Sequence, residues 1–142
     1  MIPDKNTAKQ LSGTVLAYVG DAVVEVMVRT ELVSLGITDT ARFNELALRF
    51  VTAKAQSAAY AAAEPHLTEE ETEILKRGRN AAITHRPKNQ TQSDYRRATG
   101  FEALMGYLYL SGERERAREI FQKTYISVMH VKVNSKVLER LR

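Results

Sequence analysis

The sequence contains no cysteine, only three prolines and seven glycines, and no apolar run long enough to cross a bilayer. Without cysteine there are no disulfides and no cysteine-ligated zinc, a composition compatible with a reducing cytosol. A membrane span needs about 18 or more uninterrupted apolar residues, and none occurs. The opening "MIPDKNTAKQ" lacks the apolar stretch of a secretory leader, so the expected location is cytoplasmic, with no membrane partner. Few helix breakers and much alanine favour helices. There is no internal repeat and no low-complexity linker.

What is present is a chain of 142 residues, 44% hydrophobic, enough for one domain with a real core. The net charge is +4, unevenly spread. "LKRGRNAAITHRPKNQTQSDYRR", residues 75–97, holds seven basic residues against Asp94 alone, so this segment carries the basic excess and the remainder is slightly acidic. Such a concentration suits a polyanionic partner, and equally a solvated loop between helices.

The 3.6-residue period places a first helix from about Leu11 to Leu35, closed by Gly36. In it Leu16, Val19, Val23 and Met27 form one apolar stripe. "TDTARFNEL" offers caps for a second helix running through "ALRFVTAKAQSAAYAAA". "LTEEETEILKRG" begins with capping-box spacing, Thr68 and Glu71, and Gly78 can close it. Its acidic run reads as helix-start chemistry and a solvated face. A loop from Asn80 to about Gln92 precedes a helix over Asp94–Leu110, broken by Gly112, and "ERERAREIFQKTYISVM" makes a last amphipathic helix. The fold class is all-α. The main body is expected over residues 1–130, with a tail over 131–142 that can extend the last helix, pair as a strand or hang loose.

Two acids sit where acids are costly. Asp21 interrupts "LAYVGDAVVEV" and Glu102 interrupts "GFEALMGYLYL". Ala17 and Gly20 flank the first; Ala98, Thr99 and Gly106 share a face with the second. Small residues let helix backbones approach, so the two carboxylates can share a cation, and Mg²⁺ suits oxygen ligands. From spacing alone, the favoured reading is that each pairs with a basic side chain or reaches solvent at a helix edge. His66, His85 and His130 show no metal-ligand spacing. Tyr18, Tyr95, Tyr107 and Tyr109 read as core positions, with Tyr18 also next to Asp21.

The words around these acids carry a resemblance. "LAYVGDAVVEV" resembles the "EFLGDAVL" signature of ribonuclease III catalytic domains, and "TGFEALMGYLYL" resembles the second signature, "FEALIGAIYL". "FVTAKAQ", "LTEEETEILKRGRNA", "PKN" and the "YR" before "FEAL" resemble Mini-ribonuclease III, the small branch without a double-stranded-RNA-binding domain. The resemblance covers roughly residues 11–110. It implies a homodimeric, ribonuclease III-like helical bundle that cleaves double-stranded RNA, leaves 5′-phosphate ends and matures precursor large-subunit (23S) ribosomal RNA. Asp21 and Glu102 match the metal-binding acids, with Mg²⁺ as cofactor and Mn²⁺ as a substitute. Lys76, Arg77, Arg79, His85, Arg86 and Lys88 become the expected phosphate contacts. Thr14, Ala17 and Thr99 stand where the larger enzymes carry further acids. Those three keep a second reading open, an inactive RNA-binding relative associated with ribosome assembly. A third is a helical interaction module with a basic loop.

Overall fold

The computed structural model describes residues 4–81, 91–126 and 128–130. The expected tail, 131–142, lies outside the described residues, as do His85, Arg86 and Lys88. Every regular element among the described residues is helical. Helix α1, Lys5–Gln10, is capped by Asp4, whose Oδ1 accepts from Thr7 N at 2.7 Å. Ser12 then caps α2, Gly13–Ser34, accepting from Val15 N at 3.2 Å. The first long helix therefore starts two residues later than its apolar period suggests. It ends as expected, with Gly36 at φ +86°, a conformation glycine adopts without steric cost.

The second expected helix is two. Helix α3, Thr40–Phe50, and α4, Ala53–Ala63, are separated at Val51 and Thr52. Thr52 is extended, and its hydroxyl accepts from Ala55 N at 3.1 Å, so a cap replaces continuation. A 3₁₀ turn, Glu64–His66, leads to α5, Glu69–Ala81. The capping box there is complete: Thr68 N donates to Glu71 Oε1 at 2.9 Å and Glu71 N to Thr68 Oγ1 at 3.1 Å. Helix α5 does not stop at Gly78. A Cβ there would lie 2.5 Å from the Ala103 Cβ and 2.9 Å from the Gly100 Cα, so Gly78 allows close packing and does not terminate the helix.

Helix α6, Gln92–Leu110, starts two residues earlier than expected, at the Thr91 cap. After Gly112, at φ +80°, α7 covers only Arg114–Phe121. The expected long last helix instead passes into a π-helical turn, Gln122–Ile126.

Helix α6 is the axis of the fold. Its Phe101, Ala103, Leu104, Met105, Tyr107 and Leu108 are all buried, so it is apolar around most of its circumference, as a central helix must be. It packs against α2, α4 and α5. Each fully buried Leu or Phe contributes about 1.5–3 kcal/mol through removal from water. The acidic run does more than face solvent. Glu71 is buried and pairs with Arg116 of α7 at 2.8 Å, while Arg116 also donates to the His66 carbonyl. Glu70 accepts from the Tyr107 hydroxyl and faces Lys5 and Lys9.

Candidate active site

Helices α2 and α6 cross at two glycines. A Cβ on Gly20 would fall 1.6 Å from the Glu102 carbonyl oxygen, and one on Gly106 would fall 2.0 Å from the Leu16 carbonyl oxygen. No larger residue fits at this crossing. Asp21 follows Gly20, and Glu102 is the residue whose carbonyl occupies Gly20's empty side, so backbone contact brings the two acids together. Their carboxyls come close enough for Asp21 to act on Glu102 both as a hydrogen-bonding neighbour and as a charge.

Their surroundings differ. Asp21 is exposed, at the solvent edge of α2, while Glu102 is half-buried on α6. Burial first, then the hydrogen bond and charge of Asp21, push the Glu102 carboxyl up to about 9. A like charge at this distance disfavours a second ionisation, so in the cation-free protein Glu102 keeps its proton at neutral pH. Among the described residues neither acid has a basic ion-pair partner.

This donor set fits a hard divalent cation. It offers carboxylate oxygens only, and a positive ion would offset both the burial of Glu102 and its repulsion from Asp21. Among the described residues no third His, Cys, Asp or Glu joins the pair. Thr14 is exposed, Ala17 is buried, and the Thr99 hydroxyl donates to the Tyr95 carbonyl within its own helix. Two protein acids with water in the remaining positions is how Mg²⁺ is ordinarily held.

An apolar groove of about 850 Å³ opens beside Asp21, between α2 and the end of α7. Val19, Val23 and Met27 of the expected stripe line it, whereas the side of α2 facing the core carries Leu16, Gly20, Val24 and Val28. Tyr18, at its edge, is 83% exposed and Val26 63%, so Tyr18 is not a core residue. Tyr107 is core, and Tyr95 and Tyr109 are half-buried. The missed residue of this region is Tyr125, buried on the π-helical turn with its hydroxyl unpartnered and within the field of Glu102. Sequence periodicity gives no signal for it, because the turn changes the helical register.

The basic segment divides in the same way. Lys76 is exposed and unpaired among the described residues. Arg79 donates to the Tyr60 hydroxyl at 3.1 Å and to Asn80. Arg77 has its guanidinium committed: it donates to the carbonyls of Lys9 and Leu11 and pairs with Glu73, tying α5 to the α1–α2 junction. His66 supplies a carbonyl to Arg116, and His130 meets Glu31 at 2.8 Å.

An all-helical domain with an Asp and a Glu facing each other across two glycine-packed helices has the architecture of a ribonuclease III domain, and residues 14–113 match the family model described as the Ribonuclease III domain. Among its relatives are the Mini-ribonuclease 3 of Enterococcus faecalis, 49% identical over 79% of this chain and 86% of that protein, and that of Brevibacillus brevis, 46% identical over 80% and 85%. A crystal structure of a Fusobacterium nucleatum protein superposes with a TM-score of 0.72 at 29% identity, covering 89% of this chain and 95% of that one. The chain belongs to the ribonuclease III family, in its Mini-ribonuclease 3 branch. It is accordingly a hydrolase, an endoribonuclease.

Proposed function

We propose that the chain cleaves double-stranded RNA with Asp21 and Glu102 holding one or more Mg²⁺ ions, Mn²⁺ being a competent substitute, and that its natural substrate is precursor large-subunit ribosomal RNA in the cytoplasm. The observation that carries this reading is the meeting of the two carboxyls, where burial first and then Asp21 push the Glu102 carboxyl up to about 9. A site that resists the second negative charge is prepared for a cation. Exposed Asp21 and half-buried Glu102 would hold the cation through their carboxylate oxygens. Mg²⁺ bound there would lower the pKa of an attacking water and offset charge on the scissile phosphate. Hydrolysis joins the water oxygen to phosphorus and breaks the bond to the 3′ oxygen, which takes a proton. The ends are a 5′ phosphate and a 3′ hydroxyl.

Grip on the duplex comes from phosphates and shape, since A-form RNA hides its base edges. Lys76 and Arg79 on α5, with His85, Arg86 and Lys88 after it, are the phosphate contacts; Arg77 anchors them by fixing α5. Two strands call for two sites, and a homodimer supplies them. The apolar groove and exposed Tyr18 and Val26 beside Asp21 support a second copy docking there, which sets each site at the edge of the pairing surface.

The deciding assay incubates the purified protein with long double-stranded RNA, with Mg²⁺ or with chelator. The expected outcome is cutting with Mg²⁺ alone, lost in Asp21→Asn while RNA binding persists. Binding without cutting in the wild type would favour the inactive RNA-binding relative. Cutting by Asp21→Asn at the wild-type rate would end the metal-site proposal.

A further inference from the structure

Tyr125 is 3% exposed, yet its hydroxyl has no hydrogen-bond partner among the described residues. Leaving a buried donor unpaired is costly, and native proteins seldom do so without a use for the group. The residue is held firmly. Its ring stacks on Phe121 at 5.1 Å and an interplanar angle of 13°, and lies 5.9 Å from the ring of Phe101, the residue before Glu102 on α6. It sits on the π-helical turn, Gln122–Ile126, a local widening of the helix that is frequent at functional sites. Gln122 and Ile126 of the same turn line the groove that also holds Asp21. The hydroxyl thus lies on a rigid aromatic stack beside the helix that carries Glu102. Its own ionisation is pushed up, by burial first and then by the charge of Glu102, so the two groups feel each other electrostatically.

We propose that the Tyr125 hydroxyl is a positioning group for Glu102, donating a hydrogen bond toward the ionised carboxylate, directly or through one water, and so keeping that side chain turned toward Asp21. This rests on the reading of Asp21 and Glu102 as cation ligands. A fixed, buried neutral donor beside a carboxylate has an acceptor within reach and holds that side chain's orientation. Groups standing behind metal ligands in this way typically affect metal affinity tenfold or more.

The test uses full-length wild type and Tyr125→Phe, which keeps the ring stack and removes only the hydroxyl. Thermal unfolding is followed in chelator and across a Mn²⁺ titration, and Mg²⁺ half-saturation is measured in cleavage of long double-stranded RNA. In chelator the variant should melt within about 2 °C of wild type or slightly higher, since an unpaired donor has been removed. Its half-saturating Mn²⁺ and Mg²⁺ concentrations should rise about tenfold, with KM for RNA unchanged. Equal metal dependence in the two proteins overturns the inference while leaving the metal site standing. A variant that melts far below wild type in chelator also overturns it, because the hydroxyl would then be structural. A wild type that gains no stability from Mn²⁺ removes the reading of the site itself, and the inference with it.

Discussion

Replacing Glu102 by Gln should raise stability and abolish activity, opposite effects with one cause. Glu102 has its folded-state carboxyl pushed from 4.5 up to about 9. Between those values the folded state holds a proton that the unfolded state has released, so stability falls as pH rises through this window. One pH unit is worth about 1.4 kcal/mol, which at pH 7.5 sets an upper bound of about 4 kcal/mol on the cost of the acid. Asp21 lies open to water, and screening on that side brings the expected value to about 2 kcal/mol. Gln carries no such linkage, and its amide N–H₂ can donate to Asp21 as the protonated acid does. In chelator at pH 7.5, Glu102→Gln should therefore melt several degrees above wild type, by roughly 6 °C for a domain of this size. Its stability should vary less with pH between 5 and 9. With Mg²⁺ the order narrows or reverses, because binding to the folded state stabilises only the wild type. Differential scanning calorimetry in both conditions, beside the cleavage assay, reads all of this. A variant no more stable than wild type in chelator, with the same pH slope, would refute the claim that Asp21 and burial keep Glu102 neutral.

Other perturbations follow from the packing. Gly20→Ala forces a methyl group onto the Glu102 carbonyl; separating the helices should cost about 3 kcal/mol or more, read by urea denaturation, and cleavage should fall because the acids part. Glu71→Ala leaves Arg116 without its buried partner and opens the capping box, a loss of about 3 kcal/mol at neutral pH. The Glu71 carboxyl is held below its usual value, chiefly by Arg116. Its contribution is thus full above about pH 4.5 and disappears as pH falls through the lowered value, so wild type and variant should converge in acid. Lys76→Ala with Arg79→Ala should shallow the log–log salt dependence of RNA binding by roughly one unit per lost contact, whereas Arg77→Ala should chiefly lower the melting temperature, since Arg77 grips backbone carbonyls.

The helical period made α2 and α6 legible; small residues left room for Asp21 and Glu102 to face each other, but spacing alone favoured separate partners for the two acids, and it was the resemblance of the words around them to two known signatures that paired them. The Thr68–Glu71 box and the Gly36 stop were legible from local sequence. Breaks that rest on a single cap were not. At Ser12 and Thr52 a serine or threonine in an otherwise helical pattern can cap or continue, and a preference of about 1 kcal/mol decides. Gly78 was misread because helix termination and close approach use the same residue. Tyr18 read as core because apolar side chains on an outward face repeat with the same period as those facing inward. Arg77 could not be separated from its basic neighbours, since nothing local shows that its reach ends on the carbonyls of Lys9 and Leu11. Tyr125 escaped because one π-helical turn shifts the register on which its position would be read.

The most direct measurement is diffraction from crystals of the protein soaked in Mn²⁺, with data collected at the manganese absorption edge. The expected result is an anomalous peak bridged by the carboxylate oxygens of Asp21 and Glu102, at about 2.0–2.2 Å from at least one oxygen of each or linked to it through one water, and absent in Asp21→Asn. A map with no peak at the crossing of α2 and α6, or a peak that persists in the variant, would contradict the shared-cation site on which the proposed chemistry rests.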